Sequence, residues 1–119
     1  MRDVPANAWD LIEFADKPLT IIYDHPVNIA PSVKADDGSV GIRITKDEFC
    51  GRLVERLRKP IVSTSANITG KPFPMSFSEI DPAILTGVDY IVNLKRNVVS
   101  ELKPSTVMRM RSDGRIEFI

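Results

Sequence analysis

Cysteine, histidine and tryptophan occur once each in this chain of 119 residues. The lone Cys50 has no partner for an intrachain disulfide, and no charged leader followed by an apolar stretch opens the sequence, so nothing argues for secretion. A reducing cytoplasm is the expected compartment. No apolar run approaches the roughly 20 residues that a membrane-spanning helix needs. An excess of charge is also missing. The 16 basic and 16 acidic side chains cancel, so the whole-chain field draws neither nucleic acid nor anionic lipid, and partners must be argued from local patches. Repeats and low-complexity tracts are absent. His25, in Tyr-Asp-His-Pro-Val, has neither a cysteine nor a paired carboxylate near it in sequence and reads as a solvated turn residue, not a general base.

What is present suits a single globular domain: 43% of the residues are hydrophobic, and the length supports one core. Trp9, Ile12 and Phe14 recur near helical spacing after Pro5, which predicts a short amphipathic helix. Pro-Leu-Thr-Ile-Ile-Tyr (18–23) predicts a strand, residues 24–37 a loop ending in the turn Asp-Asp-Gly-Ser, and Ser39–Thr45 a second strand. Between Lys46 and Lys59, Phe49, Leu53, Val54 and Leu57 share one face while Glu48, Arg52, Glu55, Arg56 and Arg58 take the other, the clearest helix in the chain. Thr45 or Asp47 can cap its start, and Lys59-Pro60 ends it. Cys50, beside Phe49, reads as a small packing residue of that helix. Further strands are expected at Pro60–Thr64 and Val88–Leu94, with a short helix capped by Ser78 between them. Residues 105–110 and 115–119 read as a terminal hairpin turning at Asp113-Gly114. Alternating strands and helices make the expected class α/β, with an open, twisted, mixed sheet.

Ligands of such sheets gather beyond the carboxyl ends of strands, and Ser63-Thr64-Ser65-Ala66-Asn67 is expected at such an end. Short hydroxyl and amide groups there can point donors at phosphate or carboxylate oxygens. By itself this cluster is more often an ordinary turn or helix cap. Arg43 likewise has a plain reading, as an arginine paired with a carboxylate at the sheet rim.

Read together and in order, Lys-Pro-Leu-Thr-Ile-Ile (17–22), Ser-Val-Gly-Ile-Arg-Ile-Thr (39–45), Lys-Pro-Ile-Val-Ser-Thr-Ser-Ala-Asn-Ile-Thr-Gly-Lys-Pro (59–72) and Lys-Pro-Ser-Thr-Val-Met-Arg-Met (103–110) resemble the YrdC-like threonylcarbamoyl-AMP synthase family over nearly the whole chain. The resemblance implies a YrdC-like fold around a concave, positively lined cavity. It implies condensation of L-threonine, bicarbonate and ATP to threonylcarbamoyl-AMP and pyrophosphate, the precursor of N6-threonylcarbamoyl-adenosine 37 in tRNA. It implies that Ser65 and Asn67 form the Ser-x-Asn motif, with Ser65 facing ATP phosphate, and that Ser39 is a nearby nucleotide contact. Arg43 matches the arginine that holds the threonine carboxylate, and Ser63 and Ser105 match positions around the amino acid. A planar guanidinium suits a carboxylate because it offers two parallel bonds. With no second acidic cluster in sequence, a dedicated metal site is not expected, and Mg²⁺ arrives with ATP.

The sequence also departs from that family. A threonine-bearing strand and a Lys-x-Arg motif that precede the matched region have no counterpart before Pro5, and the arginine expected after the last strand is not reached by Ile119. The expectation is therefore the C-terminal two-thirds of such a domain, a fragment inactive alone that self-associates through exposed sheet edges. The competing reading is a double-stranded RNA-binding paralogue without synthase activity. The intact Ser-Ala-Asn argues for the enzyme.

Overall fold

The computed structural model describes residues 4–99 and 105–119, and the chain divides into two compact units, residues 1–61 with 103–119 and residues 62–102. The first unit is built on a four-stranded sheet. Its strands are β1 (Leu19–Tyr23), β2 (Val40–Arg43), β3 (Thr106–Met110) and β4 (Ile116–Phe118), in the order β2-β1-β3-β4. β1 pairs antiparallel with β2 and parallel with β3, and β3 pairs antiparallel with β4, so the sheet is open and mixed as expected. The β3–β4 turn lies at the predicted place, with Gly114 at φ +87°, a left-handed conformation that glycine adopts without penalty.

Helix α1 (Ala6–Phe14) covers one face of this sheet. Side chains alternate along β1 and β3, so Leu19, Ile21, Tyr23, Met108 and Met110 point to the same side and form the core with Ala8. Ala8 is fully buried because a methyl group lets the helix backbone come close to the strands. The helix presents a different stripe from the one its aromatic residues suggest. Val4, Ala8, Leu11, Ile12 and Ala15 pack inward, whereas Trp9 and Phe14 are exposed, Phe14 at 81%. Small and branched residues at positions 4, 8, 11 and 15 keep the i, i+4, i+7 period, and the large rings fall outside it. Two cross-links hold α1 in place: Asn7 Nδ2 donates to the Gly114 carbonyl at 3.0 Å, and Lys46 Nζ donates to the Glu13 and Ala15 carbonyls at the helix end.

Helix α2 (Glu48–Leu57) starts at Asp47, whose carboxylate accepts from the Cys50 amide at 2.9 Å, and stops at Arg58 in a left-handed conformation just before Pro60. No residue of α2 is fully buried, and Cys50 is exposed rather than packed as expected.

The expected strands at Pro60–Thr64, where the first unit passes into the second, and at Val88–Leu94, in the second, do not form. Both runs are apolar and strand-like in composition, but a strand exists only as part of a ladder, and Val62 and Tyr90 stand 71% and 79% exposed. The short helix is present as α3 (Pro82–Gly87), yet its cap is Asp81, which accepts from the Ala83 amide at 2.9 Å, not Ser78. Proline at the first helical position places the start after Asp81. Ser78 lies instead in a 3-10 turn, Phe77–Glu79. The unit is held by local contacts. Arg96 lies 4.6 Å from the Phe77 ring centre and donates to the Ile91 and Val92 carbonyls, and Lys71 approaches Asp81 at 3.7 Å.

Because Ile21 is 1% exposed at the centre of the sheet, Ile21→Ala should destabilise the chain by about 2–5 kcal/mol. Urea unfolding measures this, and a loss under about 1 kcal/mol would show that the α1–sheet contact is not the core.

Candidate functional site

The residues expected to carry function divide evenly between the two units. Ser39, Arg43 and Ser105 belong to the first unit, and Ser63, Ser65 and Asn67 to the second.

Within the first unit the sheet register decides which residues are neighbours. Arg43 lies opposite Thr20, and Thr20 opposite Val107, so these three form one row across the sheet. Ser105 directly precedes β3 on the same end, where the Thr106 amide donates to the Pro18 carbonyl at 2.9 Å. Arg43 and Ser105 therefore share one end of the sheet, two strand spacings or about 10 Å apart sideways. Ser39 lies at the other end of β2, four residues or about 13 Å along the strand from Arg43. By alternation, Arg43, Gly41, Thr20, Ile22, Val107 and Arg109 all point to the face opposite α1. Gly41 keeps the middle of this strip low. A Cβ there would meet the Thr20 Cγ2 methyl at 3.2 Å.

Arg43 is exposed, and among the described residues no carboxylate pairs with it. The plain reading of a rim ion pair has no partner to support it. Arg109 and Arg111 differ sharply. Arg111 donates to Asp24 at 3.1 Å and to Glu117 at 3.1 Å and 3.2 Å, while Arg109 donates to Asp37 at 2.9 Å and to the Ser39 hydroxyl at 3.1 Å. This network was not anticipated from the sequence. Its only local signal is that arginines two apart on a strand, at 109 and 111, share one face.

Ser39 is 3% exposed and is the one buried polar residue among those described. Its amide and hydroxyl both donate to Asp37 Oδ1, at 2.9 Å and 2.6 Å, and its carbonyl accepts from the Ala35 amide. These bonds close the predicted Asp-Asp-Gly-Ser turn, with Gly38 at φ +82°. They also mean that the hydroxyl proton is committed to Asp37, leaving one oxygen lone pair for any ligand. The hydroxyl and amide of Ser39, joined by the Arg109 guanidinium, hold the Asp37 carboxyl well below the usual carboxylate range.

In the second unit, Ser63 and Ser65 are exposed. They do not follow a strand end as expected, because the run directly before them, residues 58–62, is not a strand. Asn67 is half-buried and works locally. Its amide donates to the Lys71 carbonyl at 2.9 Å and to the Ile68 carbonyl at 3.3 Å, closing the loop around Gly70, while its side-chain oxygen is buried with no hydrogen-bond partner. An acceptor in that state is where a donor from a ligand or water fits.

His25 is exposed in a bend, and the described residues contain no group of three His, Cys, Asp or Glu placed to hold a metal ion. A cleft of about 340 Å³ opens beside the start of β1 and β3, lined by Leu11, Phe14, Leu19, Thr106 and Met108 among others.

Comparison with known proteins gives a consistent pattern. The Sua5/YciO/YrdC family model, described as "Telomere recombination", matches residues 1–119. A Methanocaldococcus jannaschii protein provisionally named threonylcarbamoyl-AMP synthase is 37% identical over 101 residues, covering 85% of this chain and 45% of that relative. Threonylcarbamoyl-AMP synthases of Xanthomonas euvesicatoria and Xanthomonas oryzae are 27% and 28% identical, covering 91% and 94% of this chain and 57% and 58% of theirs. The chain thus spans about half the length of the curated relatives it matches. No solved structure gives a significant match.

The Asp37 turn carries a pH signature. A carboxyl whose folded pKa is depressed contributes stability that is complete above its unfolded pKa, about 4, and is lost as the pH falls from there toward the folded value. Asp37→Asn should therefore lower the thermal midpoint by a constant amount at neutral pH, and the gap from wild type should close below about pH 4. Thermal scans across pH measure this; a variant that tracks wild type at every pH would show that the carboxylate contributes nothing.

Proposed function

The chain belongs to the Sua5/YciO/YrdC family, and from that premise we propose that it is part of an L-threonylcarbamoyladenylate synthase. The reaction joins L-threonine, bicarbonate and ATP, giving threonylcarbamoyl-AMP, pyrophosphate and water, and serves tRNA position 37 in the cytoplasm. The relatives' names support the activity, and the observation that carries it to this chain is Arg43. An exposed guanidinium without a carboxylate partner among the described residues, on the open face of the sheet, is suited to grip a carboxylate by two parallel bonds. Threonine supplies that carboxylate. Ser105 stands at the same end of the sheet as Arg43, and Ser63 is assigned to the amino acid on the resemblance alone.

ATP is proposed to lie with its phosphates toward Ser65, and Mg²⁺ to enter bound to those phosphates. The threonine amine takes up bicarbonate as a carbamate with loss of water, and a carbamate oxygen then displaces pyrophosphate from the α-phosphorus, so the demand on the protein is for alignment and for donors aimed at phosphate oxygens, not for a covalent nucleophile. Ser65 offers such a donor. Asn67 holds the Ile68–Lys71 loop and keeps its unpartnered oxygen for a ligand N–H or O–H. Ser39, with its proton given to Asp37, contributes an acceptor, which suits a ribose hydroxyl of the nucleotide better than a phosphate.

The test is threonine- and bicarbonate-dependent pyrophosphate release from ATP, run on this chain and on the full reading frame from which it is read. Activity in the full reading frame supports the synthase. Silence in both overturns it and turns attention to RNA binding, for which the exposed Arg52 and Arg56 of α2 and Arg58 just after it would be the first residues to neutralise. In the active protein, Ser65→Ala and Asn67→Ala should each cut turnover by about tenfold or more, and Arg43→Ala should raise the threonine KM by a similar factor with little effect on the ATP KM. An unchanged threonine KM removes Arg43 from the carboxylate site.

Self-association belongs to the same proposal. The outer edge of β4 carries Phe118 at 79% exposure, followed by Ile119 at 75%, and an apolar strand edge recruits another strand. Sedimentation of this chain should show dimers or larger species; a well-behaved monomer at high concentration contradicts the idea.

A further inference from the structure

Arg109 has a place in the fold that the proposed chemistry does not use. It stands on β3, two strands from β2, yet its guanidinium reaches across β1 to the turn that launches β2. One nitrogen, Nη2, serves both Asp37 and the Ser39 hydroxyl, at 2.9 Å and 3.1 Å. The side chain is 21% exposed, and its Nε is buried with no hydrogen-bond partner. Asp24 Oδ1 lies 3.9 Å from that nitrogen, beyond hydrogen-bond reach, and Asp24 is committed to Arg111.

An arginine placed only to stabilise the sheet would satisfy its Nε as well. A buried donor left without a partner is costly, by about 1–3 kcal/mol, and such a group in a folded protein calls for a reason. Here Nη2 carries both bonds to the turn while the buried Nε has none. Nor is the cluster itself an anion site. Asp24, Asp37 and Glu117 outnumber Arg109 and Arg111, so the local charge is one negative, which repels phosphate. What the network does supply is a fixed position for Ser39, whose amide, hydroxyl and carbonyl are all held within it.

We propose that Arg109 is a positioning residue, a latch from β3 that holds the Ala35–Ser39 turn closed and so sets the nucleotide end of the site. The functional half of this statement rests on the synthase reading. The latch acts on one end of β2 only. Arg43, at the other end, is held by its own pairing with Thr20 and does not depend on Arg109. Loosening the turn should therefore be felt by the nucleotide and not by the amino acid. A general loss of stability makes no such distinction.

The experiment compares Arg109→Gln, Arg109→Lys, Asp37→Asn and the double variant Asp37→Asn/Arg109→Gln in the full-length protein. It reads amide hydrogen exchange of the 35–39 turn together with the apparent KM for ATP and for threonine. In Arg109→Gln, exchange at the Ser39 amide should rise about tenfold and the ATP KM should rise by a similar factor, as expected for losing one charge-assisted contact, with the threonine KM unchanged. Arg109→Lys should fall between, since an ammonium can reach one of the two acceptors but does not reproduce the fork. The double variant should lose less than the sum of the two single losses, because both changes break the Arg109–Asp37 bond.

Unchanged exchange in Arg109→Gln overturns the latch whatever happens to turnover. Faster exchange with both KM values rising together, or with neither moving, overturns the positioning role and leaves an ion pair that merely stabilises the turn. Should the wild-type protein show no threonine-dependent turnover, it is the synthase reading that falls, and the exchange measurement still decides the latch.

Discussion

The parallel pairing of β1 with β3 is the contact on which the first unit depends. It joins residues 19–23 to residues 106–110, so the intervening chain must be closed into a loop before a single ladder bond forms. Parallel strands cannot be linked by a tight turn, and the connection here contains β2, α2 and the whole second unit. The return for closing it is the core: Leu19, Ile21 and Tyr23 from one strand and Met108 and Met110 from the other form a single apolar surface under α1. Burial of that surface also raises the pKa of the Tyr23 hydroxyl, because its charged form has lost water.

The same pairing organises the polar face. It brings Ser105 to the end of the sheet where Arg43 stands, and it lets Arg109 reach the turn before β2. Three arginines of one sheet face thus meet different fates. Arg109 and Arg111 are consumed by Asp24, Asp37 and Glu117, whereas Arg43 has no carboxylate partner among the described residues. Side-chain type is identical in all three cases. What separates them is the distance from each strand position to a carboxylate.

Much of this was legible in the chain itself. The helix at 48–57, the strands at 19–23 and 40–43, and the terminal hairpin carry their own signals in cap residues, alternation and turn glycines, all of which act over a few residues. The runs Ile61-Val62 and Val88–Leu94 show where such signals fail. Their composition suits a strand, but composition supplies no neighbour to bond with, and both remain irregular and exposed. Trp9 and Phe14 mislead for a related reason. Size draws the eye to them, while the face that packs is chosen by the fit of Ala8 against the sheet. Among the candidate site residues, motif order identified Ser65, Asn67 and Arg43 by resemblance, but nothing local to Ser39 announced that an arginine 70 positions away would hold its hydroxyl.

The sequence by itself determined the class of fold, the local elements with strong caps and periods, and the family, since ordered motifs and short-range propensities are properties of the chain read in one dimension. Tertiary structure alone decided which apolar runs became strands, which face of α1 is buried, and which carboxylates Arg109 and Arg111 meet. Those outcomes depend on partners distant in sequence, and a side chain's charge or hydrogen bond has no meaning until the fold sets what lies within about 3 Å of it.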